Sequence, residues 1–211
     1  RRLVMASEIK ANKISPATGT AVTLGDSGDT FTVPSGVTLT NNGIASGFGG
    51  GKVLQVVSTT KTDTFSATTG QSIPSGDVTG LTATITPNST SNKIFITANI
   101  NGSNSSNALF VWLYKNGSPL SGATGDAASN RSRVTTVSVA QPSSNGAASA
   151  TLSSFNYVDS PSTTSSITYS IRVGHTLGGN DVVYVNRTDN DSDAINYGRS
   201  MSTITLMEIE G

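Results

Sequence analysis

The sequence predicts an all-β protein, a sandwich or jelly roll over residues 52–211, preceded by a polar, turn-rich segment over residues 1–51. Three observations predict it. From Lys52 onward, runs rich in Val, Ile, Thr, Tyr and Phe recur at intervals of roughly 10 to 20 residues, the spacing of short strands in antiparallel folds. Clusters of Gly, Pro, Asn and Ser separate these runs. No window of helical length repeats its apolar residues every 3.6 positions, apart from a single turn's worth at "MASEIK".

Residues 5–42 carry short extended pieces such as "TFTVPSGVTLT" and close in the glycine cluster "NNGIASGFGGG", which reads as a flexible joint. Such a segment cannot bury a core of its own, so a partner chain is expected to hold it. Arg1-Arg2 ahead of Met5 reads either as translated upstream sequence, with Met5 the natural start, or as genuine chain. Strands are then expected in "KVLQVVSTT", "LTATITP", "NKIFITANI", "ALFVWLYKNG", "RVTTVSVA", "ASATLSSFNYVDSP", "SITYSIRVGHTL", "DVVYVNRT" and "STITLMEIE". In "ALFVWLYKNG", Phe110, Trp112 and Tyr114 share one face and Leu109, Val111 and Leu113 the other, and Asn116-Gly117 suits a type I′ hairpin turn. The last strand sets Ile204 and Leu206 against Met201, Met207 and Ile209. Two strands apolar on both faces imply one face on the core and the other on a symmetric subunit contact, or else a central strand covered twice within a monomer. For the terminal strand three arrangements are open: a central place in the sheet, a bulge near Leu206, or cover from another subunit.

Only 12% of the 211 residues are charged, against a usual share of about 25%. Thirteen basic and thirteen acidic residues cancel. No electrostatic footprint for nucleic acid or an anionic membrane is left. Cys is absent, so the fold is expected to stand on packing alone, as suits assembly in a reducing cytoplasm. No run of about 18 apolar residues and no signal-peptide core occurs, so neither membrane insertion nor conventional secretion is expected.

Five stretches in order, "GKVLQVVSTTKTDTFS", "VTGLTATITPNSTSNKI", "SGATGDAASNRSR", "NYVDSPSTTSSITYSIRV" and "VYVNRTDNDSDAINYGRSMSTITLMEIEG", resemble the C-terminal domain of fibre-type structural proteins of tailed phages, particularly marine and cyanobacterial ones. The resemblance covers about residues 51–211, and "MASEIKANKISPATGTAVTLGDSGDTFTVPSGVTLTNNG" is similar to the short N-terminal stems of such proteins. It implies a homotrimer of C1q/TNF-like jelly rolls, assembled in the host bacterial cytoplasm. An intertwined stem, residues 1–51, would attach to another virion protein. The implied role is non-enzymatic, most often in a tail fibre that meets a host surface glycan. A capsid-surface head fibre or decoration protein is the alternative, and a polysaccharide depolymerase a remote one.

The residues themselves mark no catalytic, cofactor-binding or metal site. His175, the single imidazole, falls on a strand face with Ile167, Tyr169, Ile171, Val173 and Leu177, the position of a buried or interfacial histidine rather than of a base poised at a cleft. Glu occurs only at positions 8, 208 and 210 beside ten scattered Asp, and no pair stands out for glycoside hydrolysis. Asp189, Asp191 and Asp193 alternate like calcium-loop ligands, but Ala194 replaces the turn glycine and Ser200 the bidentate Glu, so a solvated loop is expected, with a looser calcium site as the alternative. "GFGGG" lacks the Lys and helix of a phosphate loop, and sequons such as "NST" and "NRT" carry no meaning without a secretion route. For a receptor, Tyr197 and Asn180-Asp181 are loop candidates, and no binding residue is assigned.

Overall fold

A computed structural model describes residues 14, 16, 18–23, 26–30, 32–38, 40, 52–104, 108–139, 150–176 and 178–211. Met5, the glycine cluster at 41–51 and Leu177 lie outside the described residues. The chain divides into two compact units, Arg1–Phe48 and Gly49–Gly211. In the first, the described residues are almost all exposed and contain turns but no strand.

The second unit holds eleven described strands: β1 (Val53–Lys61), β2 (Phe65–Gly70), β3 (Thr82–Ile85), β4 (Lys93–Asn104), β5 (Ala108–Lys115), β6 (Ser118–Pro119), β7 (Thr136–Val139), β8 (Thr151–Asp159), β9 (Ile167–His175), β10 (Asn180–Val185) and β11 (Ser202–Ile209), with one 3-10 turn at Ser121–Ala123. They form two antiparallel sheets. The first runs β1-β11-β4-β10-β2 with β8 also on β4; the second runs β3-β9-β5-β6 with β7 also on β5. The pairings nest: β1 with β11, β2 with β10, β3 with β9, β4 with β8, β5 with β7. Strand β4 is long enough to meet β11 through Lys93–Asn99 and then β10 through Gly102–Asn104 along one edge, leaving its other edge to β8.

Two-residue alternation builds the core between the sheets. Ile94, Ile96, Ala98 and Ile100 of β4 and Ile204 and Leu206 of β11 face Leu109, Val111 and Leu113 of β5 and Ile167, Ile171 and Val173 of β9, all buried. Each of the Val, Leu and Ile side chains contributes about 1.5–3 kcal/mol. Two strands lie outside the runs expected from the sequence: β2, whose "FSATTG" offers little but Phe65 and Ala67 as apolar signal, and the two-residue β6.

The terminal strand is central, with β1 on one side and β4 on the other. Leu206 pairs in regular register with Val57 and Ile96, so no bulge lies there; the register shift is in β1, between Val53 and Gln55. Beside that shift Glu208 is buried and accepts from Asn92 Nδ2 at 2.5 Å, Gln55 Nε2 at 2.5 Å and the Asn88 N–H at 2.6 Å. Burial alone would raise its carboxyl, but the hydrogen bonds from Asn92, Gln55 and Asn88 outweigh it and hold the group below its ordinary 4.5. The sheets are also tied directly: Asp159 of β8 accepts from Lys115 Nζ of β5 at 2.7 Å and from the Tyr169 hydroxyl of β9 at 2.5 Å. Burial, then the bond to Asp159, pushes the Tyr169 hydroxyl far up.

On the outward face of β5, Phe110 is half-buried and the other two aromatics are covered. Trp112 and Tyr114 are both 6% exposed, covered by their own chain. Trp112 Nε1 donates to Arg133 O at 2.7 Å, and Arg172 stacks 3.9 Å over the Tyr114 ring. The Trp ring fits because Gly174 has no side chain: a Cβ there would stand 2.9 Å from it.

Two measurements follow from the buried polar groups. Glu208→Gln turns an amide donor toward donors already aimed at the carboxylate, and should cost about 2–4 kcal/mol in denaturant unfolding. A carboxyl held below its ordinary value stabilises above pH 4.5 and loses that contribution as pH falls below it, so the native protein should weaken there more steeply than the variant. Tyr169→Phe should cost about 1.5–3 kcal/mol, the range for a hydrogen bond to a charged group, with the strand content by circular dichroism unchanged.

Candidate interaction surface

The outward residues of the six-stranded sheet follow from its register, since residues directly opposite one another project to the same side. Near the end where the chain enters the sandwich, Val56 of β1 lies opposite Met207 of β11, Met207 opposite Phe95 of β4, and Phe95 opposite Val158 of β8. This makes an apolar band across four strands, about 14 Å wide at the usual strand spacing. Val56 is 56% exposed and Val158 48%, while Phe95 and Met207 are half-buried. Val53 and Ile209, opposite each other, continue the band on β1 and β11, and exposed Lys93 of β4 ends it on the other side of Ile209.

The next row, Ser58-Thr205-Thr97-Asn156, and the one after, Thr60-Thr203-Asn99-Ser154, are uncharged too. Ser58 and Thr205 satisfy one another at 2.8 Å. Three successive rows thus present an apolar band and a hydroxyl-amide surface with no charge, and depletion of charge distinguishes the centres of protein interfaces from ordinary surface. The sequence shows Met207 and Ile209 as a second apolar face but not Val56, Phe95 or Val158, because the next outward residues of their strands, Ser58, Thr97 and Asn156, are polar. The available signal was an apolar side chain at a position of solvent parity.

The other sequence candidates are not brought together. Asn180 and Asp181 are not loop residues; they open β10 opposite Gly70 and Thr69 of β2. Tyr197 belongs to the long β10–β11 connection, which starts roughly 20 Å along the strand from Asn180 at about 3.3 Å per residue. That connection is held by buried Asn186, whose Nδ2 donates to Lys61 O at 2.8 Å and Asp63 O at 2.9 Å and whose Oδ1 accepts from Ser202 Oγ at 2.6 Å. Asn190 Nδ2 donates to the Tyr197 hydroxyl at 3.0 Å.

His175 is fully buried at the end of β9, in the inward row with Ile167, Tyr169, Ile171 and Val173. Its Nε2–H donates to Thr69 O at 2.7 Å, tying β9 to β2. Nδ1 meets no partner among the described residues, and the side chain presents no surface to solvent.

In the acidic loop, Asp191 is bracketed by guanidinium groups, with Arg199 at 2.8 Å and Arg187 at 3.4 Å. Arg187 is itself fixed, 4.5 Å over the Tyr184 ring and bonded to Thr188 O at 3.0 Å and Asp189 O at 3.1 Å. Two cations sit where a calcium ion would need ligands, and no cluster of three metal-ligating side chains occurs among the described residues. Calcium at millimolar concentration is therefore expected to leave the melting temperature within a degree of its value in chelator, by scanning calorimetry.

No protein-family model matches the chain, and no curated protein matches it.

Proposed function

We propose that this chain is a non-enzymatic virion structural protein of a tailed phage, a homotrimeric fibre whose jelly-roll head serves attachment to a host-surface glycan and whose N-terminal residues join another virion protein. The nested pairing supports the jelly roll. Five pairs close from the outermost strands inward, with β6 at the turn, as when one long hairpin is rolled into two sheets. The observation that carries the trimer is the uncharged, apolar-banded face of the six-stranded sheet. A second copy covering it removes Val56, Val158 and their neighbours from water, and a closed ring of copies leaves no such face exposed. The resemblance of the sequence to phage fibre domains supplies the virion setting, and the sealed imidazole of His175 favours a binding role over hydrolysis.

The reading is tested on the full chain by native mass, which should be three times that of one chain. Val56→Asp and Val158→Asp, both at exposed positions that the fold tolerates, should lower it to one chain with unchanged circular dichroism. A single-chain mass for the native protein would refute the trimer. Antibody to the head should label intact virions at the tail; gold over the capsid instead would move the protein to the capsid surface.

A further inference from the structure

Among the described residues of the N-terminal unit, three glycines adopt positive φ: Gly19 at 79°, Gly28 at 96° and Gly36 at 84°. At Gly28 and Gly36 the cause is a four-residue turn, closed by Asp29 N–H to Asp26 O at 3.0 Å and by Val37 N–H to Pro34 O at 3.2 Å, with glycine third as a type II turn requires. These glycines stand nine and eight residues apart, and the same pattern follows each: "GTAVTL", "GDTFTV" and "GVTLTN". Three places after each glycine comes an apolar residue, Val22, Phe31 or Leu39, and one place further a threonine. The fifth place is apolar again in the first two, the second of these being Val33. In an extended chain the third and fifth places share one face and the threonine takes the other.

The sequence of residues 16–40 thus repeats one pattern three times, a glycine followed by an apolar residue and a threonine at fixed places, with a closed turn at the second and third glycines. Among the described residues the apolar positions stay partly open to solvent: Val22 is 44% and Val33 37% exposed. Charge selects no partner either, since Asp26 and Asp29 are the segment's only charges and Asp29 accepts from the Asp26 N–H at 2.8 Å. A face that repeats every eight to nine residues matches a partner of the same spacing, and another copy of the segment has it. Units that cannot bury their apolar side alone do so against identical neighbours. We propose that residues 16–40 of one chain line up in parallel and in register with the same residues of other copies, apolar positions toward the shared axis and threonines outward. The proposal rests on the trimeric reading and adds to it the register and the face.

The chain has no Cys, so a single introduced thiol reports on itself. Full-length Val33→Cys and Thr32→Cys proteins would be oxidised with copper phenanthroline, run on non-reducing gels and weighed by native mass. In-register packing brings like positions on the apolar face within the ~4 Å between Cβ atoms that a disulfide needs. Val33→Cys should link chains in pairs at least tenfold more than Thr32→Cys, and Val22→Cys should repeat the result one unit earlier. A trimer in which Val33→Cys fails to link, or links no more than Thr32→Cys, overturns the alignment while the trimer stands. A single-chain native mass overturns both.

Discussion

The pairing of the first strand of the sandwich with the last is the constraint on which the other pairings depend. With Val53–Lys61 laid against Ser202–Ile209, the inner pairs follow in nested order, and β11 is enclosed between β1 and β4. The contacts this makes are far apart in sequence: Val57 lies opposite Leu206 and Thr59 opposite Ile204. Loop-closure entropy must be overcome before such contacts stabilise anything. The fold therefore forms as a whole or not at all, and its C-terminal strand is as essential to the core as any in the middle of the chain.

Buried polar groups fix how the pieces meet. At the end where the chain enters, Glu208 gathers Gln55 of β1 with Asn88 and Asn92 of the β3–β4 connection; Asp159 joins β8 to the opposite sheet; at the far end, Asn186 joins the connection before β11 to the end of β1. An apolar core tolerates sliding of one sheet over the other by small steps, whereas a buried carboxylate or amide displaced from its donors is left unsatisfied at a cost of about 1–3 kcal/mol. These ties therefore specify register where packing alone specifies only burial.

The two outer faces are treated differently by the same chain. The five-stranded sheet has its aromatic row wrapped by the β6–β7 connection through the Trp112–Arg133 bond and capped by the Arg172–Tyr114 stack. The six-stranded sheet has no such wrapping over Val56 and Val158, and its outer rows hold hydroxyls and amides in place of charges. Trp112 and Tyr114 are closed internally, whereas Val137 and Val139 on the five-stranded sheet and the band from Val56 to Val158 on the six-stranded sheet are left open, and only the second joins four strands.

What the sequence determined by itself was local: the all-β class, the inward rows of β4, β5 and β9, and the place of His175 among them, since alternation at a two-residue period is written in each strand. It also carried Met207 and Ile209 as a second apolar face. Tertiary structure decided what depends on which strand lies beside which. Two equally apolar faces, those of β5 and β11, had opposite fates, because a loop and Gly174 lie next to one and only other strands next to the other. The band from Val56 to Val158 takes one residue from each of four strands, with Val56 and its neighbour Met207 far apart in sequence. Strand β2, with little apolar signal, exists because β10 pairs with it. Side-chain alternation is a property of a segment and can be read along it; adjacency across a sheet is a property of the closed fold and cannot.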